Sequence, residues 1–106
     1  MPTMIKIAVD AMGGDNSPNK VIDGIVHHCK SNVNVYYKIF GDKNLIDNCL
    51  DNRLDKKDFE IINTLKKVLS DDSPLEGAKR GKETSMWLAI ESVKNKDCDI
   101  VISAGN

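Results

Sequence analysis

No run of apolar residues in this sequence approaches the roughly 20 positions that a helix needs to cross a bilayer. The opening Met1-Pro-Thr-Met-Ile-Lys-Ile also lacks the basic region and long apolar core of a signal peptide. Charge of one sign is missing too. Fifteen basic and sixteen acidic side chains leave a formal charge of -1, so no whole-molecule field draws nucleic acid or an anionic membrane, and any anion site must be local. Cysteine is sparse: Cys29, Cys49 and Cys98 are odd in number and widely spaced, with no C-x-x-C pair to suggest zinc or dithiol redox chemistry. These absences fit a reducing, cytoplasmic compartment. Internal repeats, low-complexity linkers and a G-x-G-x-x-G dinucleotide fingerprint are all lacking, so solenoids and the usual nicotinamide site are set aside.

What is present is ordinary globular material, 41% hydrophobic and 29% charged, and 106 residues are enough for one compact domain. Ile5-Lys-Ile-Ala-Val-Asp10 reads as a buried strand that runs into a tight loop at Gly13-Gly14. Ser17 as N-cap and Pro18 at the first helical position predict a helix over 18–30, with Val21, Ile22, Ile25, Val26 and Cys29 on its inner face. A second strand is expected over 33–40, stopped at Gly41-Asp42, then a short helix carrying Leu45, Ile46, Cys49, Leu50 and Leu54. Phe59-Glu-Ile-Ile-Asn63 is a weaker strand, and 65–69 fits either a strand extension or a helical turn. Ser70-Asp-Asp-Ser-Pro74 is turn chemistry. A helix capped by Thr84 or Ser85 follows, and Asp99-Ile-Val-Ile-Ser103 makes a last strand. Strands alternating with helices predict an α/β fold: three α/β/α layers around a mostly parallel, Rossmann-like sheet. Ser103-Ala-Gly-Asn106 has the character of a loop leading into another crossover helix, which reads residues 1–106 as an incomplete N-terminal part of one α/β domain; a last strand at a sheet edge, needing no successor, is the alternative.

Three segments carry candidate chemistry. Asp10-Ala-Met-Gly-Gly-Asp-Asn-Ser-Pro18 lies between the carboxyl end of a strand and a helix N-terminus, the edge where open α/β sheets gather ligands and where Gly13 and Gly14 let backbone N–H groups approach an anion. Asp10 and Asp15 repel an anion, which suits them to orienting loops, accepting ligand hydroxyls or handling protons. A tight turn with a capped helix accounts for the same residues. Gly77-Ala-Lys-Arg-Gly-Lys-Glu-Thr84 superficially resembles a P-loop, but its glycine spacing is one residue short and Glu83 stands where Ser or Thr must follow the lysine, so an ATPase is rejected. What remains is a cluster of Lys79, Arg80 and Lys82 that serves either an anion or a solvated turn. Ser103 and Gly105-Asn106 offer a hydroxyl, a freed backbone and an amide at the same sheet edge as the first segment. His27 and His28 have no carboxylate or cysteine at metal-ligand spacing and read as surface or half-buried histidines. Met86 and Trp87 are expected in the core, and the cysteines as inert packing.

The opening Ile5-Lys-Ile-Ala-Val-Asp-Ala-Met-Gly-Gly-Asp-Asn-Ser-Pro18 and the ending Ile100-Val-Ile-Ser-Ala-Gly-Asn106 together resemble the PlsX family of phosphate acyltransferases. Gly41-Asp42 and Lys79-Arg-Gly-Lys-Glu-Thr-Ser-Met86 follow in the family's order, whereas Glu76 and Gly81 depart from its usual arginine and lysine, and Thr84 replaces a serine. The resemblance implies transfer of a fatty acyl group from acyl carrier protein to inorganic phosphate, giving acyl phosphate for phosphatidic acid synthesis. It further implies a homodimer working at the inner face of the membrane beside the downstream glycerol-3-phosphate acyltransferase, with no cofactor, no metal and no nucleic-acid partner. Under it, Asp10, Asp15 and Asn106 are the expected catalytic residues, and Gly13, Gly14, Arg80, Lys82, Ser85, Ser103 and Gly105 hold phosphate or substrate. A non-catalytic remnant, or a phosphate-binding α/β module of the same family, is the alternative.

Overall fold

The computed structural model describes residues 4–14, 16–64 and 85–103. Four strands form one parallel sheet: β1 (Ile5–Asp10), β2 (Val35–Gly41), β3 (Phe59–Asn63) and β4 (Ile100–Ser103), in the order β3-β2-β1-β4. Between them run α1 (Asn19–Ser31), α2 (Lys43–Leu50), a 3-10 turn at Lys56–Asp58 and α3 over 85–94. The α/β, Rossmann-like architecture expected from the alternation of elements is therefore present.

Each face of the sheet closes over a different set of side chains, as the two-residue period of a strand requires. Ile7, Val9, Tyr37 and Ile39 pack with Ile22, Ile25 and Val26 of α1 and with Ile46 and Leu50 of α2. On the opposite face Ala8, Phe40 and Val101 meet Leu88, Ala89 and Val93 of α3. The chain steps in one direction from β1 to β3, then reverses past β1 to reach β4, and right-handed crossovers must change face when the direction changes. That reversal puts a topological switch point between β1 and β4.

Local chemistry sets the element ends, and several differ from expectation. The N-cap of α1 is Pro18, without a side-chain cap; Ser17 Oγ instead donates to the carbonyls of Gly13 and Gly14 and ties down the loop before the helix. The second strand begins at Val35, because Asn34 is at φ 65° and Val33 stands 84% exposed ahead of it. Asp42 caps α2 through Asn44 N (3.0 Å) and Leu45 N (3.4 Å), and the helix stops at Leu50 before left-handed Asp51 and Asn52, leaving Leu54 to pack from the following loop. The weaker strand is present as Phe59–Asn63. Trp87 corrects another expectation: it is 68% exposed, because α3 turns Leu88, Ala89 and Val93 toward the sheet and Trp87 away from it. Met86 is partly buried. The turn at 70–74 and the ambiguous 65–69 lie outside the described residues.

Tyr37 is the largest fully buried side chain among the described residues, and its hydroxyl lies 2.5 Å from His28 Nδ1 on α1. Burial, reinforced by Cys29 and Asp58 nearby, pushes its phenol up to about 12. The fold thus favours the neutral phenol: its contribution to stability is complete below the ordinary value near 10 and is lost as pH rises through 12. Urea unfolding between pH 9 and pH 12 will show wild type losing stability across this window more steeply than Tyr37→Phe. Parallel losses in the two proteins would show that this phenol is not the group responsible.

Candidate functional site at the switch point

Asp10 ends β1 with no exposed surface, and such a buried carboxylate must find partners. It has three. Ser85 Oγ, at the start of α3, donates to Oδ1 at 2.7 Å; Ser103 Oγ, at the end of β4, donates to Oδ2 at 2.8 Å; and the Met12 amide donates to Oδ1 at 3.1 Å. Residues 75 and 93 positions away in the chain are thereby tied to one carboxylate. The register of β1 on β4 pairs Asp10 directly with Ser103, which places both at the carboxyl edge of the sheet.

The glycine loop leaves from the same point. Gly14 lies at φ 84°, a left-handed conformation that glycine adopts without a Cβ penalty, and Asn16 follows at φ 59°. Ala11 N donates to Phe40 O at 2.9 Å, so the first residue of the loop still belongs to the sheet hydrogen-bonding pattern. At the neighbouring edge, a Cβ on Gly41 would come to 3.0 Å from the Met12 and Ile46 side chains, so β2 ends where there is little room for a larger residue.

The structure brings Asp10, Gly13, Gly14, Ser85 and Ser103 to one sheet edge. The remaining candidates, Asp15, Arg80, Lys82, Gly105 and Asn106, lie outside the described residues. Ser85 appeared in the sequence only as a helix cap and substrate contact; its bond to a carboxylate 75 residues earlier had no local signal. One chemical consequence follows from hydroxyl valence. Each serine has a single hydroxyl hydrogen, and in both it is directed to Asp10, so neither hydroxyl is a ready donor to an anion.

In open α/β sheets the crevice at a switch point is the favoured place for a ligand, and this one combines a backbone-rich glycine loop with a satisfied carboxylate. Among the described residues no group of three His, Cys, Asp or Glu side chains is placed to hold a metal ion. Burial pushes the Cys29 thiol up, with Asp58 adding to the effect and Lys57 opposing it, which disfavours the nucleophilic thiolate. No helix among the described residues is long and apolar enough to cross a membrane.

The model of the family described as "Fatty acid synthesis protein" matches residues 5–106, nearly the whole chain and both ends of the edge just described. The chain belongs to this family. A phosphate acyltransferase of Pelagibacter ubique is 68% identical over 106 residues, all of this chain and 32% of that relative. Phosphate acyltransferases of Listeria monocytogenes and Enterococcus faecalis are 42% and 38% identical over 102 residues, 96% of this chain and 29% and 30% of theirs. The chain thus spans about a third of the length of the curated relatives it matches, as an N-terminal part of a PlsX-type protein.

The carboxylate tie has a measurable weight. Asp10→Ala is expected to lower the unfolding free energy by about 1–3 kcal/mol, the penalty for stripping buried hydroxyls of their acceptor, and Ser85→Ala by about 1 kcal/mol. Urea denaturation with unchanged m-values measures both; an Asp10→Ala protein as stable as wild type would show that the tie does not hold the edge together.

Proposed function

We propose that this chain forms part of an acyltransferase that moves a fatty acyl group from acyl carrier protein to inorganic phosphate, releasing acyl phosphate for phosphatidic acid synthesis. The observation that carries the reading is the 68% identity, along the entire chain, to a protein named phosphate acyltransferase. The geometry supports it through the glycine loop and the Asp10 cluster at the switch point.

In this reaction a phosphate oxygen attacks the thioester carbonyl, forming a C–O bond. The tetrahedral intermediate then collapses, the C–S bond breaks, and the carrier thiolate leaves and takes up a proton. The protein's tasks are to hold two reactants in line and to stabilise oxyanion charge. Backbone N–H groups at Gly13 and Gly14 hold anionic oxygens, as glycine loops before a helix do elsewhere. Arg80 and Lys82 are assigned the positive charge, and Gly105 and Asn106, which follow β4 in the sequence, are assigned to the same phosphate site. Ser85 and Ser103, both hydrogen-bonded to Asp10, line the same site. Asp10 positions these hydroxyls, and proton handling is assigned to a carboxylate of this segment, Asp10 or Asp15. Docking of acyl carrier protein, a homodimeric state and peripheral work at the inner membrane face beside the downstream acyltransferase belong to the same proposal.

The test is a chimera carrying this chain in place of the matching segment of the Pelagibacter relative, assayed for acyl phosphate from an acyl carrier protein thioester and phosphate, with hydroxylamine trapping. The chimera is expected to be active and Asp10→Asn to reduce its rate about 10²-fold, as a small misplacement of reacting groups does. An inactive, folded chimera beside an active parent would overturn the reading. In the same chimera Lys82→Ala is expected to raise the phosphate KM; an unchanged KM would remove Lys82 from the phosphate site.

A further inference from the structure

The glycine loop is held at both ends, by different elements. At its start the Met12 amide donates to Asp10 Oδ1 at 3.1 Å, so this end moves with β1. At its other end Ser17 stands between two residues already engaged by α1: Asn16 O accepts from Lys20 N at 3.0 Å, and Pro18 O from Ile22 N at 2.9 Å. Ser17 therefore belongs mechanically to the start of the helix. From there its hydroxyl reaches back to the carbonyls of Gly13 and, at 3.1 Å, Gly14.

Two features give that hydroxyl more than a stapling role. Gly13 and Gly14 both lack a Cβ, so the peptide between them rotates more freely than one between any other residues, and Gly14 already lies at φ 84°. Such a peptide takes a single orientation only when an outside contact selects it. The second feature is what the loop leaves unused. Both glycine carbonyls are taken by Ser17, whereas neither glycine N–H donates to an acceptor among the described residues. In a planar trans peptide the C=O and N–H point in opposite directions. Drawing the Gly13 carbonyl toward the helix start therefore turns the Gly14 N–H away from it and leaves that N–H available as a donor.

We infer that Ser17 is a positioning residue for the phosphate site: its hydroxyl selects the orientation of the Gly13–Gly14 peptide in which the Gly14 N–H serves an anionic oxygen. The inference rests on the acyltransferase reading for the identity of the anion. Ser17 is not itself a phosphate ligand in this scheme, because its one hydroxyl hydrogen is directed to the loop carbonyls. It acts by preorganising an amide that phosphate meets in the ground state and in the transition state alike. Loss of such uniform binding raises KM and leaves kcat in place.

In the chimera, Ser17→Ala is expected to raise the phosphate KM about 5-fold, the weight of one net hydrogen bond. The kcat and the KM for the carrier protein thioester are expected to change less than about 2-fold. Ser17→Thr keeps the hydroxyl and is expected to bring the phosphate KM back to within about 2-fold of wild type. An active Ser17→Ala chimera with an unchanged phosphate KM would overturn the inference and leave the acyltransferase reading standing. So would one in which kcat and both KM values worsen together, the mark of a serine that only holds the fold. Inorganic phosphate titrated calorimetrically into the same proteins gives a readout without turnover. A Kd weakened about 5-fold by Ser17→Ala in an inactive chimera would sustain the inference and refute only the reaction. Equal phosphate binding by wild type and Ser17→Ala, or none by either, would overturn the inference.

Discussion

A carboxylate with no exposed surface has to be hydrogen-bonded, and Asp10 meets that demand with hydroxyls drawn from two distant parts of the chain. This sets several features of the fold at once. Ser103 reaches Asp10 only if β4 pairs with β1 in the observed register, since a one-residue slip would turn its side chain to the other face. Ser85 reaches it only if α3 lies on the face opposite α1 and begins at the carboxyl edge of the sheet. The reversal of chain direction between β3 and β4 supplies both conditions, so topology and a single buried charge reinforce each other.

The same tie divides the chemical labour at the edge. A negative group with both neighbouring hydroxyl hydrogens turned toward it is a poor host for an anion on its own. For the phosphate site proposed above, positive potential would have to come from amide N–H groups such as those of the glycine loop and from cations elsewhere in the chain. The two glycines expose amides without adding side chains, and Ser17 holds their carbonyls back toward the helix start. Asp10 is then the fixed point around which donors are arranged.

Much of this was legible in the sequence, because it depends on local pattern. β1 and β3 lie where the apolar runs put them, and the opening and closing motifs that suggested the family are the segments that meet at the switch point. Other features depend on distant partners and left no local trace. Ser17 has the composition of a helix cap, yet its hydroxyl is taken by Gly13 and Gly14. Trp87 has the composition of a core residue, but only one stripe of α3 meets the sheet and tryptophan is not on it. The pairing of Asp10 with Ser85 spans 75 positions and depends on where α3 crosses the sheet, which no window of sequence encodes. Spacing alone also gave no warning that the hydroxyl hydrogens of Ser85 and Ser103 are already committed.

The switch point also explains why the two faces of the sheet end up unlike each other. On the α3 side the layers close over Ala8, Phe40 and Val101, and the edge finishes in a satisfied polar cluster. On the α1 side the core is complete under α1 and α2 but stops at β1, because the helices there accompany strands that step away from β4. Alternate residues of one short strand therefore have opposite fates: Val101 is packed, whereas Ile100 and Ile102 are exposed.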